Sequence, residues 1–321
     1  MAFSAALNES LTTPPAAVTE LARQLAAYNR GDDPGELVYE DVVITERAVN
    51  GVEFDQPPSA PIRRLIICTT PRSGSYLLAR QLIRAGIGIP HEYLNPANVS
   101  VIAPRTSGSY LDWLERHRTT PNGIFAAKLH WPQMEKNPEV INAWLRRPDT
   151  VCLFLHRRRL LSQAVSFRAS LHSGVWDVGE EISAAPRAVP GLTENRETDH
   201  LAYRLIAWNG MWRFFFESND IPVMDLAYED FVADQSKAIA DIGAKLGVAC
   251  EVPAPEPYSG SGSKSDDQAQ RRYLQTWAYA DDGAPPLRYS RRLAIGALID
   301  STRRGLTRRL RSVPGIFVKR R

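Results

Sequence analysis

RRLIICTTPRSGSYLLARQLIRAG, residues 63–86, reads as three pieces in a row. RRLIICTT is a short apolar run, the pattern of a strand buried on both faces. YLLARQLIRAG has helical composition and closes on Gly86. Between them, Thr70-Pro71-Arg72-Ser73-Gly74-Ser75 turns the strand into the helix. In open α/β sheets ligands bind where strands end, and the N–H groups and dipole at a helix start favour an anion. Gly74 allows close backbone approach, Ser73 and Ser75 offer hydroxyls, and Arg72 offers a permanent fork-shaped cation. The chemistry is that of a phosphate cradle. The alternative is a plain strand-to-helix turn with a serine cap and a surface arginine.

Downstream the same order recurs. DTVCLFLHRRR (149–159) is a buried strand ending in basic residues, and LLSQAVSFRASL after it reads as a helix. HLAYRLIAWNGMWRFFFES (200–218) is a helix with an apolar, aromatic stripe. IPVMDLAYED (221–230) is a strand, and FVADQSKAIADIGAKLG a further helix. IFAAKLHW (124–131) reads as a strand end with Lys128 and His130 on one face. Strands alternating with helices predict an α/β fold with a mainly parallel sheet flanked by helices.

Upstream, residues 14–29 read as a short helix, and LVYEDVVITE (37–46) with Asn50-Gly51 and VEF reads as a small hairpin. A Pro-rich connector, FDQPPSAPIRR, comes next. PEPYSGSGSKSDD (255–267) is a low-complexity loop. The expected organisation is an N-terminal extension over 1–60, a main domain over 61–287 and a basic amphipathic tail over 288–321.

The chain has 321 residues, 44% hydrophobic and 23% charged, with mean hydropathy −0.29. That is enough for a substantial core without staples. No run of 18 apolar residues exists, so no spanning helix is expected. MAFSAALNES lacks the basic start of a signal peptide. Cys68, Cys152 and Cys250 are scattered and odd in number, which argues for a reducing, cytoplasmic setting. Of the net +3, residues 288–321 hold eleven Lys/Arg against Asp300, leaving 28 basic against 35 acidic residues elsewhere. Nucleic-acid binding by the whole protein is therefore not expected. The tail alone is suited to peripheral contact with an anionic membrane, or is a solvated helix.

The loop is not a Walker A motif: GxxxxGK[ST] is absent, and GSGSKS near 260 lacks the Gly-Lys pair. That disfavours Mg²⁺-ATP phosphoryl transfer. HEYLN (91–95) lacks the second His of HExxH, and His117, His156, His172 and His200 form no ligand pattern, so no metal is expected.

TTPRSGSYLL resembles the 5′-phosphosulfate loop of sulfotransferases that use 3′-phosphoadenosine-5′-phosphosulfate (PAPS). LFLHRRRLLSQAVSF is similar to their second motif, and LAYEDF (226–231) to the segment after the late strand. The likeness is nearest to bacterial carbohydrate sulfotransferases of the trehalose type, through PHEYLNP, AAKLHW (126–131) and QAVSF (163–167), and it covers roughly 63–250.

The resemblance implies a P-loop-like three-layer fold and in-line transfer of a sulfuryl group from PAPS, without metal, to a hydroxyl of a carbohydrate or small metabolite. It implies a donor site of Arg72, Ser73, Gly74, Ser75 and Tyr76, with Ser166 and either Arg157 or Arg158 at the 3′-phosphate. Arg159 and Ser162 are further candidates there. It implies Glu92 as general base, with His91 as its rival and Lys128 beside it. His130 and Trp131 are acceptor candidates; a polar strand face and a core tryptophan are the alternatives. The acceptor loops fall in 93–122 and 172–199, the latter reading as a lid. Late in the chain the sequence departs from the family pattern, and Lys264, Arg271 and Arg272 are the only nearby candidates for closing over the nucleotide. A metabolite kinase and a non-catalytic nucleotide-binding or membrane-surface adaptor remain the rival readings, and oligomeric state is open.

Overall fold

A computed structural model describes residues 48–176, 194–250, 252–256, 271 and 273. The chain divides into two compact units, 1–267 and 268–321, and the sheet with its helices belongs to the first. The helix expected over 14–29, the strand over 37–46, most of the 255–267 loop and the basic tail lie outside the described residues.

Four strands form one sheet, β1 (Arg63–Thr69), β2 (Ile124–His130), β3 (Thr150–His156) and β4 (Val223–Ala227), in the order β2-β1-β3-β4. All three pairings are parallel. The fold is the expected α/β arrangement, a parallel sheet flanked by helices.

Two apolar clusters, one per sheet face, arise from strand alternation. Leu65, Ile67, Ala126, Leu153 and Leu155 pack on Leu78 and Leu82 of helix α1 (Ser75–Arg84) and on Phe231, Ile239 and Ile242. Ile66, Cys68, Phe125, Ala127, Leu129 and Phe154 pack the other way, on Tyr93, Trp144, Trp212, Phe215 and Phe216. Trp131 belongs to this second cluster, edge-on to the Trp212 ring at 5.2 Å between centroids.

Register aligns the carboxyl ends of three strands: Thr69 stands opposite His130 on one side and Leu155 on the other. The residues after each strand therefore meet at one edge of the sheet. Thr69 is tied further, because its carbonyl accepts the Trp212 indole N–H at 3.0 Å.

Three local expectations shift. Val52–Phe54, taken as a hairpin arm, forms a 3-10 turn, with Phe54 buried. The aromatic helix begins earlier, at Glu194 (Glu194–Ser218). The fourth strand stops at Ala227, and Tyr228–Ala233 is already helical. In that last case acidic residues at 229 and 230 occupy a first helical turn, where the dipole favours them.

Candidate active site

At the edge where the strands end, the loop after β1 is held from every side. The Thr69 hydroxyl hydrogen goes to a carbonyl, that of Leu155 at 2.7 Å. Ser73 Oγ, 2.6 Å from Thr69 Oγ1, must therefore donate to it. Ser73 is fully buried and its proton is committed inward, so it shapes the loop. Ser75, itself buried, and the first-turn N–H groups of α1 are the loop's remaining candidate donors. Gly74 caps α1 with φ +90°, offering no side chain to cover those N–H groups. A Cβ there would lie 2.2 Å from a ring carbon of Tyr228. Arg72 also has positive φ, 63°, uncommon for a residue with a side chain.

Helix α5 (Leu160–Ser173), after β3, supplies the second wall; α2 (Pro96–Ile102), α3 (Tyr110–His117) and α4 (Trp131–Lys136) precede it. Gln163, fully buried, donates both amide hydrogens to the loop, at 3.0 Å to Thr70 Oγ1 and 2.7 Å to the Pro71 carbonyl. Arg72 Nε donates to Ser166 Oγ at 3.0 Å, and Arg72 also donates to the Trp176 carbonyl.

The three consecutive arginines part company. Arg157 donates to the Arg72 carbonyl at 3.3 Å, and its guanidinium lies 4.3 Å from the centre of the Tyr228 ring. Its buried Nε makes no hydrogen bond. Arg158 turns outward and forks onto the carboxylate of Asp230. The N–H groups of Arg158 and Arg159 both donate to Glu229, at 3.1 Å each, so this carboxylate caps the start of α5. Partial burial alone would raise the Glu229 pKa; the two N–H groups and the nearby Arg157 charge outweigh it and hold the group below its usual range.

The second half of the site lies beside α1 and β2. Glu92 is 4% exposed. Its Oε2 accepts from Gln133 and from Asn95, both at 3.2 Å. Its Oε1 faces Lys128 Nζ at 3.9 Å and His130 Nε2 at 3.6 Å. Lys128, 1% exposed, supplies the counter-charge that a buried carboxylate requires. Its ammonium also sits 3.9 Å from the centre of the Tyr76 ring, on the first turn of α1. Lys128 thus connects the carboxylate to the loop that opens the helix.

His91 takes the opposite direction. It is fully buried, with Nε2 2.8 Å from Asn50 Oδ1 and its ring edge-on to Tyr93. Its carbonyl accepts Lys128 N–H at 2.8 Å, which seats the 91–92 segment against β2. Cys68 and Cys152 are buried, and burial pushes the Cys152 thiol up to about 12, so neither is poised as a nucleophile. Among the described residues no group of three His, Cys, Asp or Glu side chains could hold a metal ion, and no helix is long and apolar enough to cross a membrane.

Residues 64–275, more than half of the chain, match the Stf0 sulphotransferase family. The chain belongs to that family. It is also similar to a trehalose 2-sulfotransferase of Mycobacterium tuberculosis, with 24% identity over 257 residues, 66% of this chain and 95% of the relative. The matched span of the family holds both halves of the site, from the Arg72 loop to the Tyr228 segment.

Sequence reasoning about this sulfotransferase chain missed Gln163, Tyr228, Glu229, Gln133 and Asn50. LAYEDF carried a signal for two of them, since an acidic pair opening a helix next to three arginines invites capping. Gln163 stood inside QAVSF without a role. Gln133 is marked only by its place in the first turn of α4, where its Oε1 accepts the His130 N–H at 3.0 Å; Glu92, its partner in the site, and His91, the partner of Asn50, each lie 41 positions away.

Proposed function

We propose that the protein transfers a sulfuryl group from PAPS to a carbohydrate hydroxyl. The observation that carries this reading is the joining of two separate segments into one cationic cradle: Arg72 bonded to Ser166, with Arg157 bonded to the Arg72 carbonyl. Each arginine fork suits a phosphate oxygen pair. Family membership favours PAPS as the group held there, and the named relative favours a carbohydrate acceptor.

The residues fit such a donor. Gly74 leaves the helix start uncovered, and Arg157 Nε is a buried donor without a partner. PAPS supplies the sulfuryl group and leaves as 3′-phosphoadenosine-5′-phosphate (PAP). Arg72, Ser75 and the first-turn N–H groups hold the 5′ side. Arg157 and Ser166 hold the 3′-phosphate, an assignment favoured by Arg158 being committed to Asp230. Glu92 Oε1 accepts the proton of the acceptor hydroxyl, with Lys128 balancing the carboxylate and His130 beside it. Lys128 and the loop N–H groups stabilise negative charge that develops during transfer.

Calorimetry of PAP without metal, against ATP with Mg²⁺, tests the donor. PAP is expected to bind in the micromolar range, with binding lost in Arg72→Ala and Ser166→Ala. Preference for Mg²⁺-ATP would overturn the reading in favour of a kinase, and binding of neither would favour an adaptor. Radiolabelled transfer from PAPS to a panel of sugars, trehalose included, then identifies the acceptor.

A further inference from the structure

Ahead of the first strand, the described arm begins with Ala48–Asn50 and Val52–Phe54, two 3-10 turns. Its backbone is pinned by three buried or half-buried cation contacts. Arg118, fully buried, donates to the carbonyls of Val49 at 2.7 Å and Gly51 at 3.2 Å. Arg105 donates to the carbonyl of Asn50 at 2.8 Å. Asp55 pairs with both arginines, at 2.8 Å from Arg118 and 3.4 Å from Arg105. Asn50 is thereby fixed between two guanidinium groups, and its side chain points inward, 8% exposed.

That side chain enters a directional relay. Asn50 Nδ2 donates to Asn98 Oδ1 at 2.9 Å, and Asn98 Nδ2 donates to the Glu92 carbonyl at 3.0 Å. The remaining polar atom of Asn50, Oδ1, can only accept, so His91 Nε2 carries the hydrogen between them at 2.8 Å. The relay runs from His91 through Asn50 and Asn98 back to the main chain of Glu92. On the far side, the His91 carbonyl is held by Lys128 N–H. Both ends of the short 91–92 segment are therefore restrained, one by the sheet and one by the arm.

We infer that Asn50 is a positioning residue for Glu92, so that the arm ahead of the first strand is a working part of the acceptor half of the site. The inference rests on the reading of Glu92 as the base. Without Asn50, the His91 N–H and the Asn98 carbonyl oxygen lose a buried partner, which favours rearrangement of residues 91–98. A displacement of about 1 Å at a reacting group costs on the order of 100-fold in rate. The relay's hydrogen bonds join the arm, α2 and the 91–92 segment, away from the Arg72 loop and α5, so PAP affinity is expected to stay put.

The test uses the full chain with Asn50→Ala, Asn50→Ser and Asn98→Ala. Val52→Ala, an exposed position of the same arm, is the control. Expected is a fall in kcat of about 10-fold to 100-fold in the three relay variants, with PAP Kd within about twofold of wild type and the control unaffected. In a Glu92→Gln background, Asn50→Ala should give no further loss of the residual rate. A purely structural role would not produce that split. Unchanged kcat in relay variants that bind PAP overturns the inference and leaves the Glu92 reading intact. Loss of PAP binding in step with kcat in all three also overturns it, because the arm then serves folding alone. Wild-type turnover by Glu92→Gln itself overturns the reading on which the inference rests.

Discussion

In the function proposed above, the two halves of the candidate site, one for the donor and one for the acceptor, are built by different chemistry. The donor half is made of arginines whose guanidinium groups reach backbone carbonyls, a hydroxyl and an aromatic ring, and it draws on two helix starts. The acceptor half is one buried carboxylate, one buried ammonium and a set of neutral amides: Gln133, Asn95, Asn98 and Asn50. A cradle for a phosphate needs positive charge with spare hydrogen-bonding capacity. A proton acceptor needs one oxygen held in place and the other left to face the reaction, which amides achieve without adding net charge. The same sheet edge thus carries charge on one side and orientation on the other.

The sharpest way to break this comparison is Glu92→Gln. It keeps the shape and removes the proton acceptor, so kcat should fall by roughly 10²–10⁴ while PAP affinity, read by calorimetry, holds. A parallel loss of PAP binding would mean the halves are not separable.

Next in size is the contrast between neighbouring arginines. Arg157→Ala removes a charge-assisted partner of the cradle and should weaken PAP by about 10-fold to 100-fold. Arg158→Ala, whose fork is engaged with Asp230, should leave PAP affinity within about twofold. The reverse ranking would move the 3′-phosphate to Arg158.

Gly74→Ala should cost about 1–3 kcal/mol of stability by denaturant titration, since it adds a Cβ at φ +90° and against the Tyr228 ring. Adding Tyr228→Ala should recover only part of that cost, because the backbone penalty remains. Full recovery would show that crowding alone matters at this glycine.

The smallest effect concerns Glu229. Its folded pKa lies below the usual carboxylate value of 4.5, so its contribution to stability is complete above that pH and is lost as pH falls through the lowered folded value. Thermal melts from pH 6 to pH 3 should show a steeper decline in wild type than in Glu229→Gln. Equal slopes would show that this carboxylate does not stabilise the start of α5.

The strand–loop–helix around Arg72 was legible in the sequence because its parts are local. A strand, a Gly/Ser turn and a helix are contiguous, so PRSGS announces where it sits. The aromatic helix and the parallel sheet were legible for a similar reason, since hydrophobic periodicity is a local property. The end of the fourth strand was misplaced because Tyr228 extends the mostly apolar run from Ile221, whereas a carboxylate at 229 does more at a helix start.

The sequence by itself determined the α/β order, the strand-to-helix loop at residues 70–75 and the basic strand end followed by a serine-bearing helix. Each is read from a contiguous stretch of chain. Only the tertiary structure sent Arg157 to the Arg72 carbonyl and Arg158 to Asp230, His91 to Asn50 and Glu92 to Lys128. Those outcomes depend on partners 36 or more positions apart, such as Glu92 with Lys128, Asn50 with His91 and Arg158 with Asp230. A buried polar group must find a partner wherever the fold supplies one, and no local pattern reports which distant residue that will be.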